Sequence, residues 1–264
     1  SFRLDLSYFD YCTGLRMTND KFDALFGGPP RKAEDRVTQR EMDLAASVQK
    51  VTEEVVLRLT RALQKETGSP NLCLAGGVAL NCVANGKVLR DGRFKNIWVQ
   101  PAAGDAGGAL GAALNAYYQF QDKPRHVNGG DAMAGSYLGP SYEQADIEAR
   151  LTKAGARFTV LSDDELIAKT AQALADGLAV GWFQGRMEFG PRALGGRSIL
   201  GDARSPAMQS VLNLKVKYRE SFRPFAPAVL REDVADWFEL DGDSPYMLMV
   251  ADVVVGRRKA MTAE

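Results

Sequence analysis

The sequence predicts an α/β fold with parallel strands, and three observations lead to that prediction. A long amphipathic helix begins after a capping box formed by Thr38 and Glu41, and it ends at Gly68. Two short apolar runs, 72–75 and 97–99, have the composition of buried strands. A glycine turn and a helix follow each run, and this alternation is typical of strands that lie parallel in one sheet.

The remaining elements of the first half follow from these signals. The long helix carries apolar residues at helical spacing, namely Ala45, Val48, Val51, Val55, Leu59 and Ala62. Gly76 and Gly77 turn the chain into a second helix over 79–89. The second strand leads through residues 101–104 into a helix over 106–118 that is rich in Gly and Ala.

The composition changes between residues 123 and 140, where Gly, Pro, Asn and Asp dominate, and we place a domain boundary there. Beyond it the periodicity predicts two helices, one over 142–154 and one that is capped by Ser162 and runs to Asp176. Apolar runs predict three further strands over 179–183, 225–230 and 246–255.

The composition excludes several classes of protein. Lys and Arg total 33 and Asp and Glu total 33, so the formal net charge of zero argues against a general polyanion binder. Three cysteines, Cys12, Cys73 and Cys82, form no CxxC pair, which excludes a disulfide scaffold or a cysteine zinc site and fits a reducing, cytoplasmic location. We expect Cys73 and Cys82 to be buried. The single histidine, His126, excludes a two-histidine metal site within this chain. No apolar run approaches the ~18 residues of a membrane span.

The first candidate site is the turn of Gly76 and Gly77, which continues to Asn81. Glycines between a strand and a helix allow a ligand to approach the backbone, and the free N–H groups of a helix N-terminus bind phosphate. The alternative is a tight turn that requires glycine for steric reasons.

The second candidate is Asp105, which lies in the run Gly104, Asp105, Ala106 and Gly107. A carboxylate at this place either caps the following helix or binds a metal ion beside the glycine turn. The residues alone favour the cap.

The third candidate is the basic segment, residues 186–223, which contains eight Lys or Arg and three Asp or Glu. Guanidinium groups match phosphate and carboxylate oxygens, so the segment predicts binding of anionic substrates. A solvated surface and a nucleic-acid patch are the alternatives. We discount nucleic acid because the aromatics do not form exposed stacking platforms, and we interpret Phe222 and Phe225 as buried anchors.

Four motifs in this order make the chain resemble the O-carbamoyltransferases of the NodU/CmcH/TobZ family, and they occupy 71–81, 100–113, 185–198 and 217–227. The resemblance implies the second half of a Kae1-like domain over 1–125, a linker over 126–154 and part of a YrdC-like domain over 155–264. It also implies that family members are about twice as long. We therefore expect a central piece of an enzyme that is impaired by itself.

The resemblance also implies the chemistry and the site residues. Carbamoyl phosphate loses phosphate and reacts with ATP to give carbamoyl-adenylate and pyrophosphate, and the carbamoyl group then passes to a hydroxyl of a small-molecule acceptor. The residues carried over are Gly76, Gly77, Asn81, Gly104 and Gly107 for the nucleotide, Asp105 for a divalent metal, expected to be iron, and Arg192, Arg197, Lys217 and Arg223 for carbamoyl phosphate and the phosphates. The family's His-x-x-x-His metal motif does not occur in this chain. We expect no membrane or nucleic-acid partner, and an assembly of several copies stays open.

Two other functions remain as alternatives. One is a non-catalytic nucleotide- or phosphate-binding module, or half of a split enzyme that another chain completes. The other is an enzyme that makes threonylcarbamoyl-adenylate for tRNA modification, since Kae1-like and YrdC-like domains also do that work. The long match over 185–227 favours the small-molecule branch.

Overall fold

The computed structural model describes residues 2–32, 34–127 and 129–260. The chain divides into two compact units, one made of Ser1–Leu72 and Val83–Ile97 and the other of Cys73–Cys82 and Trp98–Glu264. The regular elements in chain order are α1 (Asp20–Leu25), α2 (Gln39–Thr67), β1 (Asn71–Leu74), α3 (Cys82–Asp91), β2 (Asn96–Val99), α4 (Asp105–Asn115), α5 (Gln144–Lys153), α6 (Asp163–Ala175), β3 (Val180–Phe183), β4 (Arg197–Leu200), α7 (Met208–Val211) and α8 (Val234–Trp237).

Short turns of tighter or wider helix complete the list of regular elements. The 3₁₀ turns are Leu6–Tyr8, Gly77–Leu80, Ala134–Ser136, Arg231–Asp233 and Val255–Arg257, and the π turns are Ala116–Phe120 and Leu212–Val216. Among the described residues, no helix is both long and apolar enough to span a bilayer.

The helix signals in the sequence are confirmed by the caps of α2 and α6. The Thr38 N–H donates to the Glu41 carboxylate at 2.9 Å, and the Ser162 N–H donates to the Glu165 carboxylate at 3.0 Å. Gly68 adopts a left-handed φ of 64° and ends α2, as its sequence predicts.

The strands form two small sheets. β1 pairs with β2. The Asn96 N–H donates to Pro70 O at 3.1 Å, and four residues further along both strands the Gln100 N–H donates to Leu74 O at 3.0 Å. This order is the parallel arrangement. β3 pairs antiparallel with β4, with Phe183 opposite Arg197.

Ion pairs join α2 and α3 in the first unit. Glu53 is 6% exposed and pairs with Lys87, and Arg61 Nε donates to both Asp91 oxygens at 3.0 and 3.1 Å. The hydrogen bond from Lys87, with help from Gln49, lowers the pKa of Glu53 below its usual value. These pairs connect α3 to a helix whose apolar side chains Val48, Val51 and Leu59 are exposed.

The second unit uses residues 131–140, inside the predicted linker, as part of its packing. The buried Tyr246 donates its hydroxyl proton to Asp131 and accepts the Gly135 N–H at 3.1 Å, and its ring meets Trp98 edge-on with centroids 6.0 Å apart. Burial and the Asp131 carboxylate raise the pKa of Tyr246 to about 12.

Replacing Tyr246 by phenylalanine should lower the free energy of unfolding by about 1–3 kcal/mol at neutral pH, because Asp131 and the Gly135 N–H lose their partner. The raised pKa means that the folded state keeps the hydroxyl proton which the unfolded chain releases near pH 10. The stabilisation is therefore complete below pH 10 and falls between pH 10 and about 12. Urea titrations across that window should show a steeper loss for wild type than for Y246F, and equal slopes would contradict the assignment.

Several local predictions are wrong. Residues 225–230 and 246–255 form no strand, although Phe238 and Val253 make one isolated bridge. β4 lies in the glycine- and arginine-rich stretch where no strand was predicted. Cys73 is exposed and Cys82 is half-buried, so neither is the buried packing residue that was expected.

Candidate anion-binding site

The glycine turn follows β1 and has open space in front of it. Gly76 has a φ of 98°, a backbone conformation that favours glycine, and its N–H donates to Ala103 O at 2.8 Å. A Cβ atom built at Gly76 or Gly77 would meet no heavy atom within 4 Å. Asn81 is half-buried and closes the 3₁₀ turn by donating its N–H to Val78 O. Only Gly76 needs glycine for its backbone, and the open space leaves room for a ligand.

The second motif packs beside this turn. Ala102 and Ala103 are buried, and a Cβ built at Gly104 would lie 3.7 Å from Leu80 Cδ1. Gly104 is the N-cap of α4, so the alternative in which Asp105 caps the helix is wrong. Asp105 is the first helical residue and is exposed, where its charge suits the positive end of the helix dipole.

Asp105 does not assemble a metal site with its neighbours. Across residues 2–32, 34–127 and 129–260, no three His, Cys, Asp or Glu side chains lie close enough to hold an ion. One exposed carboxylate is too few donors for a divalent cation in a protein site. The described residues therefore do not form the expected metal site by themselves, and Asp105 as a ligand stays a prediction.

The third motif folds as a loop around the carboxylate of Glu188. This side chain is 9% exposed, and its Oε1 accepts the N–H groups of Leu194 at 2.8 Å, Gly196 at 2.7 Å and Arg197 at 3.2 Å. Burial by itself would raise the pKa of Glu188, but the converging backbone N–H groups outweigh it and lower the pKa. Glu188 is therefore an anion at neutral pH and closes the loop that carries Arg192.

Arg192 connects this loop to the glycine turn. Its Nη2 donates to Leu80 O at 3.2 Å, while its Nε is buried and has no hydrogen-bond partner in the described residues. A Cβ built at Gly190, two residues before it, would lie 3.3 Å from Ala102 Cβ, so the loop also packs on the second motif. Three of the four motifs thus meet within one unit.

The other predicted basic residues are placed differently. Arg197 donates to the backbone oxygens of Gln184, Gly185 and Gly196, and its guanidinium carbon lies 3.3 Å from the centre of the Phe183 ring. These contacts tie it into the start of β4 and use several of its donors. Arg197 therefore supports the loop, and only its remaining N–H groups can reach a ligand.

Lys217 and Arg223 lie after the π turn Leu212–Val216. Lys217 is exposed and its side chain has no partner in the described part of the chain, whereas Arg223 Nε donates to Glu220 at 2.8 Å. Neither forms a hydrogen bond or ion pair with the glycine turn or with Arg192 in that part. The structure therefore brings Arg192, but neither of these two, against the turn.

Buried Asn213 holds the irregular segment that carries Arg223. Its Nδ2 donates to Ser221 O at 3.0 Å and to Arg223 O at 2.8 Å, and its Oδ1 accepts from Arg219 Nε at 2.6 Å. The roles of Glu188 and Asn213 were missed in the sequence. An isolated carboxylate in a glycine-rich basic run could have singled out Glu188. Which N–H groups donate hydrogen bonds to it depends on the fold.

The charges of the basic segment are mostly unneutralised. Arg204 pairs with Asp202 and Arg223 pairs with Glu220. The segment holds eight cations and three carboxylates, so five positive charges are in excess. This surplus suits anionic ligands.

Exposed aromatics also lie in the basic segment. Tyr218 is 86% exposed and Phe222 is 64% exposed, so the expectations of buried Phe222 and of no exposed stacking platform are both wrong.

Two family models and several similar proteins indicate the same family for this chain. The family model for the carbamoyltransferase N-terminus matches residues 1–114, and that for the carbamoyltransferase C-terminus matches residues 171–264. An uncharacterized protein of Synechocystis sp. is 62% identical over 100% of this chain and 43% of its own length. The nodulation protein NolNO of Sinorhizobium fredii is 43% identical over 86% of the chain and 33% of its own length.

An enzyme is among the relatives. The 3'-hydroxymethylcephem-O-carbamoyltransferase of Streptomyces clavuligerus is 33% identical over 86% of this chain and 42% of its own length. The chain thus spans less than half the length of each of these relatives. Because the two family models lie in the same order as the motifs and the relatives include an O-carbamoyltransferase, this chain belongs to the carbamoyltransferase family of enzymes.

Proposed function

We propose that the protein containing this chain transfers a carbamoyl group from carbamoyl phosphate to a hydroxyl of a small-molecule acceptor, with ATP as co-substrate. Water releases phosphate from carbamoyl phosphate, the resulting carbamate attacks the α-phosphorus of ATP and expels pyrophosphate, and the acceptor hydroxyl then displaces AMP from carbamoyl-adenylate. Family membership and the carbamoyltransferase among the relatives support the group transferred.

The observation that carries the proposal for this site is the position of Arg192. Its guanidinium lies beside the open glycine turn, with one N–H on Leu80 O and a buried Nε that has no partner in the described residues. A phosphate or carbamoyl phosphate oxygen in front of Gly76 and Gly77 would accept from the guanidinium N–H groups that the bond to Leu80 O does not use. Arg192 would neutralise charge and orient the anion.

Replacing Arg192 by glutamine should weaken binding of pyrophosphate to this chain by roughly 10- to 100-fold, because a charge-assisted hydrogen bond is worth about 1.5–3 kcal/mol. Isothermal titration calorimetry with pyrophosphate, ATP and carbamoyl phosphate measures the effect. The matched control is Arg204→Gln in the same segment, whose partner is Asp202, and it should bind as wild type does. Equal weakening by both variants would mean that the ligand is held by the general positive charge of the segment and not by Arg192. No binding by wild type would overturn the proposal.

A nucleic-acid substrate is the second candidate, because Tyr218 and Phe222 are exposed beside Lys217 and Arg223. Exposed aromatics beside cations are typical of surfaces that stack bases. This arrangement would suit a threonylcarbamoyl-adenylate enzyme that binds tRNA. Affinity for tRNA that falls steeply with salt, and that Tyr218→Ala lowers, would favour this reading over a small-molecule acceptor.

A further inference from the structure

The ten residues from Glu188 to Arg197 form a loop that is closed at its base by one side chain. Glu188 Oε1 accepts N–H groups from Leu194, Gly196 and Arg197, so the start and the end of the loop are held together. Arg192 stands in the middle of this loop. Its contact with Leu80 O therefore depends on where the closed base places it.

We propose that Glu188 is a positioning residue for the anion site, acting through the closed loop to hold Arg192 against the glycine turn. The coupling between loop and turn stands on the geometry alone, whereas its consequence for anion binding rests on the proposed function.

The loop is braced on its other side by residues of the region predicted as a linker. The Phe189 N–H donates to Ser136 O at 2.6 Å, and the Tyr137 hydroxyl donates to Leu194 O at 2.5 Å. These bonds hold Phe189 and Leu194, and Arg192 makes neither of them. Closure by Glu188 joins the start of the loop to Leu194, Gly196 and Arg197, which limits the positions open to Arg192 between them.

The carboxylate is needed in its charged form. Three N–H groups on one oxygen make charge-assisted hydrogen bonds, which are roughly twice as strong as neutral ones. Glutamine at this position keeps the shape and one acceptor oxygen but loses the charge, so Glu188→Gln should loosen the closure without emptying the space. Alanine is less suitable, because it would leave three donors unsatisfied.

Hydrogen exchange of backbone amides tests the coupling without any ligand. In Glu188→Gln, amides of residues 76–82 should exchange roughly tenfold faster than in wild type, although the hydrogen bonds of the Glu188 carboxylate go to Leu194, Gly196 and Arg197. Arg192→Gln should produce a similar acceleration there. In the double variant the acceleration should be no larger than in Arg192→Gln, because the two residues act in series. Peptides from α6 serve as the internal reference for any global loss of stability.

The charge-matched control is Asp202→Asn, which removes one negative charge from the same basic segment and should leave residues 76–82 unchanged. Two results would overturn the proposal: faster exchange in Glu188→Gln that is confined to residues 188–198, or effects of the two substitutions that add fully at residues 76–82. Either would make Glu188 a stabiliser of its own loop only.

Pyrophosphate titration separates this proposal from the proposed function. Coupled exchange together with weaker pyrophosphate binding in Glu188→Gln supports both. Coupled exchange in a chain that binds no pyrophosphate keeps the positioning role and removes the assigned ligand. Uncoupled exchange with pyrophosphate binding that still depends on Arg192 keeps the ligand and removes the role of Glu188.

Discussion

Replacing Gly107 by alanine should lower the free energy of unfolding by about 3 kcal/mol or more, because the new methyl group has no room. A Cβ at this position would lie 2.1 Å from Ala102 O and 3.0 Å from the carbonyl carbon of Ala102. These are backbone atoms of a residue that is 0% exposed, so they cannot move aside as a flexible side chain would. Relief requires α4 to move away from the turn that precedes it.

The same helix provides matched controls. Cβ atoms built at Gly108 and Gly111 meet no heavy atom within 4 Å. Alanine at either position should stabilise the protein by up to about 1 kcal/mol, because alanine has the higher helix propensity. Thermal and urea unfolding should show a lower free energy of unfolding for Gly107→Ala and a higher one for the alanine variants of Gly108 and Gly111. If Gly107→Ala unfolds as the controls do, α4 does not pack against the Ala102 backbone.

Gly107 also shows that a glycine assigned to ligand binding can have a second, structural reason to be glycine. The resemblance assigns it to nucleotide binding, and that assignment stays a prediction. The structure supplies a packing requirement that would keep glycine here with or without a ligand. Gly77 is the opposite case, because neither its φ nor a neighbouring atom demands glycine, and its assignment to nucleotide binding likewise stays a prediction.

Local signals predicted much of the fold correctly. Capping boxes at Thr38 and Ser162 and a left-handed Gly68 act within a few residues, so the sequence alone locates the ends of α2 and α6. Strands were less predictable. Residues 225–230 are apolar but pair with no strand in the described part of the chain, whereas β4, which begins with Arg197 and Ser198, pairs with β3.

The residues of the candidate site were predictable from the sequence, whereas their contacts were not. The sequence identified its glycines and its cations, because residue type and order carry that information. It could not show that Arg197 is bound by its own loop while Arg192 reaches Leu80, since both are arginines beside glycines or prolines. It also could not show that backbone N–H groups of its own loop stabilise the Glu188 carboxylate. Such assignments depend on irregular loops, where contacts follow no sequence period.

The second large effect is expected at Asn213, which is 0% exposed. Leucine has a similar size but no polar atoms, so Asn213→Leu leaves Ser221 O and Arg219 Nε without the partner they have in wild type, whereas Arg223 O keeps Gln209 Nε2 at 3.2 Å. Each unsatisfied buried group costs about 1–3 kcal/mol, and a network loses more when its centre is removed. We expect a loss of about 3 kcal/mol in the free energy of unfolding.

The matched control is Asn115→Leu, because Asn115 is exposed at the end of α4 and its side chain makes no hydrogen bond in the described part of the chain. That substitution should change stability by less than about 0.5 kcal/mol. Urea unfolding at neutral pH compares the two. A small effect at Asn213 would mean that the loop after the π turn Leu212–Val216 forms without it. A large effect would make this amide the reason that Lys217 and Arg223 lie on an ordered loop, because no other described side chain bonds both Ser221 O and Arg223 O.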